Sequence, residues 1–245
     1  MSDLNTLQWT VLIAAALIFG LAKSGLPGLG ILGIPLVALV IPGRASTGLI
    51  LPMLIIGDVF AVSYYHRSAQ WVHFWRLMPW AVAGVGIGSV AMNHVSDAMM
   101  GPVIGGIVLA MLALHFWRRW QGGAETVPTH WSFAAGMGLL GGITTMMANA
   151  AGPIMFIYLL AMRLPKNEFL GTGAWYFLVV NWIKVPFSVG LGLISAESLR
   201  LNLFLAPAIV TGALVGVVVA RRIPQTAFGT LVEILTAVAA IKLLF

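Results

Sequence analysis

Asn181 and Lys184 stand one helical turn apart in a strongly apolar run, and a second lysine, Lys23, stands in another. An ammonium group at the centre of a bilayer costs roughly 2.5–3.5 kcal/mol on insertion scales, so it faces a cavity or a partner rather than lipid. The chemistry open to such a group is the holding of an anion. Lys23 therefore reads as a fixed positive charge turned toward an anion, as the partner of Asp58, or as a side chain snorkelling to the surface from a shallower hairpin tip. Lys184 carries the first two readings, an anion site or a bridge to Asp58 or a backbone carbonyl. Asp58 and Glu233 are the deep acids. Asp58 is a candidate for proton coupling or for neutralising a lysine, and we favour the neutralising role. Glu233, in the last helix, reads first as facing Arg221 or Arg222 or as packing in the bundle, and second as a candidate for proton relay.

The backbone offers a second way to hold an anion. Residues 144–186 contain T-T-M-M-A-N-A-A-G-P, an apolar stretch interrupted by small and polar residues that restarts at Gly152-Pro153. Proline suits the first helical position because it sacrifices only an orphan N–H. The free N–H groups and dipole of a restarting helix would point at Thr144, Thr145 and Asn149. Pro27-Gly28 is expected to begin a matching half-helix, with Ser24 and Gly25 beside it. The competing reading of Gly25, Gly28 and Gly30 is close helix packing, for which small residues are commonly used in membranes. The candidate binding set is thus Lys23, Ser24, Gly25, Gly28, Thr144, Thr145, Asn149, Gly152, Asn181 and Lys184.

Elements that could position these residues follow from composition. The 245-residue chain is 60% hydrophobic and 8% charged, a balance that cannot cover the surface of a soluble domain. We expect an all-α polytopic membrane protein. The first apolar run lacks a basic flank and an A-x-A cleavage pattern, so it reads as a retained membrane segment. The formal charge of +6 is scattered singly or in pairs between apolar runs, as orientation signals are, and does not suggest nucleic acid. Cysteine is absent, which excludes disulfides and thiolate chemistry. His66, His73, His94, His115 and His130 show no paired ligand spacing, so no metal and no cofactor are expected.

Apolar runs fall at 8–22, 29–41, 45–65, 77–93, 99–117, 132–147, 152–162, 173–194, 199–220 and 226–244. From Gln8 to Ile41 a single helix would measure roughly 51 Å at ~1.5 Å per residue, too long for one crossing. Its K-S-G-L-P-G-L-G segment breaks it, and the break at Asn149–Pro153 does the same for Ser132 to Met162. The two halves match further. Pro42, Gly48 and Asp58 align with Pro165, Gly171 and Asn181 at a separation of 123, and Pro79, Gly84 and Gly88 with Pro207, Gly212 and Gly216 at 128.

Charge decides how the halves are related. If each broken segment crosses once, the loops divide six basic residues against five. If each enters and returns, one side collects Arg67, Arg76, Arg118, Arg119, Arg163, Lys166, Arg221 and Arg222. The other side then keeps only Arg44, Arg200 and Lys242. That split obeys the positive-inside rule. Trp71, Trp75, Trp117, Trp120 and Trp131 fall in or beside the loops so assigned to the cytoplasm. We expect two inverted repeats, 1–120 and 131–245, within a single membrane domain. Each is a broken or re-entrant hairpin followed by three transmembrane helices, with both termini periplasmic.

The run T-T-M-M-A-N-A-A-G-P, with L-P-K-N-E-F-L-G-T-G-A-W-Y-F and N-W-I-K-V-P, resembles the second half of bacterial TauE/SafE-family permeases. G-L-P-G-L-G-I-L-G-I-P resembles the Gly/Pro-rich hairpin of their first half. The resemblance spans essentially the whole chain. It implies an inner-membrane exporter of a small sulfur-containing anion, either sulfite or an organosulfonate such as sulfoacetate. The partners expected are that anion and the lipid bilayer, with homo-oligomerisation left open. The alternatives are a passive anion channel or an importer of a related anion. More distant is a membrane-embedded enzyme, for which neither a nucleophile nor a ligand cluster is present. A topology reporter fused at the C-terminus is expected to report a periplasmic location, and a cytoplasmic signal would overturn the inverted arrangement.

Overall fold

The computed structural model describes residues 4–41, 44–92, 94, 113 and 130–244. The apolar run 99–117, with Trp117, Arg118, Arg119 and Trp120, lies outside the described residues, as do Pro42 and His115. Among the described residues the chain forms nine α-helices. These are α1 (Thr6–Ser24), α2 (Gly33–Val40), α3 (Arg44–Tyr65), α4 (Trp71–Ala91), α5 (Trp131–Ala148), α6 (Ala151–Ala161), α7 (Lys166–Gly190), α8 (Ala196–Arg222) and α9 (Gln225–Leu244). Three helical stretches, Thr6–Ser24, Arg44–Ser68 and Ala196–Arg222, are long and apolar enough to cross a membrane. The outer face of α8 exposes Leu199, Leu203, Phe204, Leu214, Val215 and Val218, a surface suited to lipid rather than water.

Local signals explain the element ends. Asn5 caps α1 by accepting from the Gln8 N–H, while the Gln8 side chain accepts from the Asn5 N–H, a reciprocal capping box. Ser195 and Ser198 do the same for α8. Helix α5 ends at Asn149, which takes the left-handed conformation (φ 54°), a role that asparagine fills when glycine does not. The α5–α6 break therefore lies where the sequence put it. The first hairpin differs from expectation. Pro27-Gly28 does not start an α-helix: Gly28 sits at φ 99°, a 3₁₀ turn covers Leu29–Leu32, and α2 begins only at Gly33. A positive φ of that size is accessible to glycine and strained for other residues.

Both hairpins fold back on themselves. In the first, Gly33 lies against the Phe19 ring and Gly30 against Ala22. In the second, Phe133 stacks on Tyr158 (5.7 Å between centroids), so the start of α5 meets the end of α6. Helices α3 and α7 pack antiparallel. Gly48, near the start of α3, abuts Leu193 beyond the end of α7, and Gly171, near the start of α7, abuts Tyr65 and Ser68. They are joined midway, where Asn181 donates to Asp58.

The remaining seams exchange elements between the two halves of the chain. Helix α1 runs parallel to α8, and α4 runs parallel to α5. Gly20 faces Ile209 and Ala213, Gly212 faces Leu17, and Gly216 faces Leu21 and Gly25. On the other seam Gly84 faces Leu139 and Gly142, and Gly88 faces Ile143 and Met146. The glycines aligned at a separation of 128 thus each lie in a close helix seam. A Cβ on Gly20, Gly84, Gly142 or Gly212 would overlap a backbone oxygen of the neighbouring helix. Gly212→Val and Gly84→Val are expected to abolish recovery of folded protein, as read by size-exclusion chromatography in detergent. Gly86, which meets nothing within 4 Å, is expected to accept alanine with a gain of about 0.5–1 kcal/mol.

Candidate functional site

A cavity opens between the two hairpin breaks and the α3–α7 pair, with a free volume of about 80 Å³. That is several times the ~10–15 Å³ that admits one water. Its walls are largely apolar, formed by Phe19, Ile34, Leu54, Phe156, Phe169 and Phe177. Polar atoms enter from Lys23, Asp58, Thr145, Asn149 and Asn181. Gly28 and Gly152 complete the lining at the breaks.

Lys23, in the last turn of α1, places its Nζ 2.7 Å from Asp58 Oδ1 and 4.3 Å from the centre of the Phe177 ring. Its aliphatic stem lies against Gly57 on α3, where a larger residue would crowd it. Asp58 is fully buried, so its carboxylate depends on partners for both oxygens. The second oxygen accepts from Asn181 Nδ2 at 2.7 Å. Both mid-helix polar residues of the α3–α7 pair are thereby spent on each other and on Lys23.

Lys184 is placed differently. Its Nζ donates to Asn149 Oδ1 (2.6 Å), Thr145 Oγ1 (3.1 Å) and Asn181 Oδ1 (3.3 Å), three acceptors for the three N–H groups of an ammonium. Lys184 is 1% exposed and does not line the cavity, whereas the Lys23 side chain is 13% exposed and does. Asn149 also donates to the Thr47 carbonyl (3.2 Å), so the α5–α6 break is tied to α7 and to the start of α3. All of these bonds except the one to Asn181 join elements that are distant in sequence.

Other expected residues fall outside the lining. The Ser24 carbonyl accepts from Tyr65 Oη (2.9 Å), and Gly25 packs on Gly216. Thr144 donates within its own helix to the carbonyls of Leu140 and Gly141. Glu233 lies partly buried on α9 and does not reach the cavity. Helix α6 begins at Ala151, so Gly152 and Pro153 fill the second and third positions of its first turn.

Several contributors escaped sequence reasoning. Tyr65 and Thr47 act through long-range bonds to or from backbone, which no local pattern announces. Phe177 had a signal: it lies four residues before Asn181 on the same helical face. Among the described residues no group of three or more His, Cys, Asp or Glu stands where it would hold a metal ion. Truncation by Asp58→Ala would leave Lys23 without its counter-charge and is expected to cost about 3–5 kcal/mol. The pair Lys23→Met with Asp58→Leu should recover most of that loss. Thermal unfolding in detergent checks both, and a double variant no more stable than the single one would refute the pairing.

The family described as Sulfite exporter TauE/SafE matches the chain over residues 12–243. No curated protein and no solved structure gives a match.

Proposed function

Since the chain belongs to the sulfite exporter TauE/SafE family, a family of membrane transporters, we propose that it exports sulfite or a small organosulfonate across the bacterial inner membrane. The observation that carries this reading is Lys23, an ammonium at the wall of a cavity between two broken helices. Lys23 attracts the anion. Thr145, the second amide N–H of Asn149 and of Asn181, and the N–H groups of Ala151 and Gly152 at the start of α6 supply donors for its oxygens. Lys184 holds Asn149 and Asn181 in place and adds positive charge from behind the wall.

Alternating access follows from two inverted repeats, 1–120 and 131–245, rocking about the cavity. Support comes from the antiparallel α3–α7 pair crossing at Asp58 and Asn181, and from the glycine seams α1–α8 and α4–α5. Under this reading a two-fold axis in the membrane plane would relate all three pairs. With both termini periplasmic, the basic loops lie inside the cell. An inside-negative potential then drives each unit of negative charge outward by about 2.3 kcal/mol per 100 mV, and export requires no coupling ion.

Flux of sulfite and small sulfonates from proteoliposomes under an imposed potential tests the reading. Losing a charge-assisted hydrogen bond is worth about 1.5–3 kcal/mol, so Lys23→Gln is expected to slow flux about ten- to hundredfold. Lys184→Ala is expected to slow it too, through displaced asparagines. Counterflow of labelled anion against unlabelled anion separates a carrier from a channel. Folded protein that moves no oxyanion would overturn the transport reading.

A further inference from the structure

The hydrogen bonds around Asp58 all run one way. Lys184 has only donors, so Asn181 must present Oδ1 to it and Nδ2 to Asp58. Lys23 also has only donors, and its ammonium approaches the other carboxylate oxygen. Asp58 therefore accepts a hydrogen bond at Oδ2 and pairs with a cation at Oδ1. A carboxylate set between an amide donor and an ammonium is favoured in its ionised form.

Three charges then define the site: Lys23 from α1, Lys184 from α7 and Asp58 from α3. Among the described residues the other elements around them bring no further charge to the lining. The α5–α6 hairpin supplies Thr145, Asn149, Pro153 and Phe156, the 3₁₀ turn and α2 supply Gly30 and Ile34, and α8 places Ile209 beside Gly57 and the Lys23 stem. Two ammonium groups and one carboxylate leave a single positive charge. Buried charges are costly unless balanced, and one univalent anion balances this set. A divalent anion overshoots by one, and a proton on Asp58 would cost it the charge that pairs with Lys23.

We infer that the cavity selects univalent oxyanions, such as simple alkanesulfonates and hydrogen sulfite, over divalent ones such as sulfoacetate, and that Asp58 is the residue that sets this valence. The inference rests on the reading that the transported anion binds beside Lys23. It makes Asp58 a fixed counter-charge rather than a proton carrier, and it makes each transported anion carry one net charge.

Methanesulfonate and sulfate form a matched pair for the test, being similar in shape and differing by one charge, with neither taking up a proton near neutral pH. In proteoliposomes containing the parent protein, methanesulfonate is expected to be moved at least about tenfold faster than sulfate, as one uncompensated charge in a low-dielectric site requires. Methanesulfonate flux should carry one charge per anion with no proton movement across the vesicle wall. Asp58→Asn raises the site to two positive charges and is expected to reverse the preference toward sulfate. If that variant does not fold, the parent's ratio and its charge count decide alone. Equal transport of the two anions, or a proton moving with each, would overturn valence selection while leaving transport standing. Folded parent protein that moves neither anion nor sulfite would overturn both readings.

Discussion

An ammonium that must sit in a low-dielectric interior needs a fixed partner, and the Lys23–Asp58 pair is the constraint around which this molecule is arranged. Once Asp58 is committed to Lys23, its second oxygen requires Asn181, and the orientation of Asn181 requires Lys184. Lys184 in turn needs acceptors, which it finds in Thr145 and Asn149 at the second helix break. The network thus joins α1, α3, α7 and the tip of the α5–α6 hairpin. Replacing such a network by apolar residues is often neutral or stabilising, so its presence argues for a requirement other than stability.

Backbone breaks impose a second cost, since unpaired peptide groups in the hydrocarbon region are expensive and non-helical chain is tolerated there only when buried in protein or lining a cavity. The same helix ties down both breaks. Near the start of α3 the Thr47 carbonyl accepts from Asn149, and at its end Tyr65 donates to the Ser24 carbonyl. Helix α3 therefore steadies both tips while its midpoint carries Asp58. Rigid support at two ends of one helix leaves the cavity between the tips framed by α3 and its antiparallel partner α7.

What the sequence revealed depended on whether a feature is local. The break after Ala148 was readable because Asn149, Gly152 and Pro153 each act on their own backbone. The start of α7 was not: its first turn holds Lys166, Asn167 and Glu168, polar residues that hide a helix end from a search for apolar runs. Pro27-Gly28 misled in the other direction, because a proline and a glycine suit a tight turn as well as a helix start. Lys184 was recognisable as an intramembrane ammonium, but its removal from the cavity wall depends on three acceptors, two of them more than thirty residues away in sequence. The matched glycines were visible as a spacing. That they mark the seams α1–α8 and α4–α5, which join the two halves, required coordinates.

That exchange of helices has a bearing on how the chain is made. Ribosomes add roughly 5–20 residues per second, so Asp58 emerges within seconds of Lys23, and the ion pair can form early. The face of α1 that carries Gly20 waits far longer, because α8 begins nearly two hundred residues later, on the order of 10–40 s at those rates. Helix α4 likewise awaits α5. A nascent first half therefore resides in the bilayer with its tightest packing surfaces uncovered. It becomes a finished unit only when the last third of the polypeptide has been inserted alongside it.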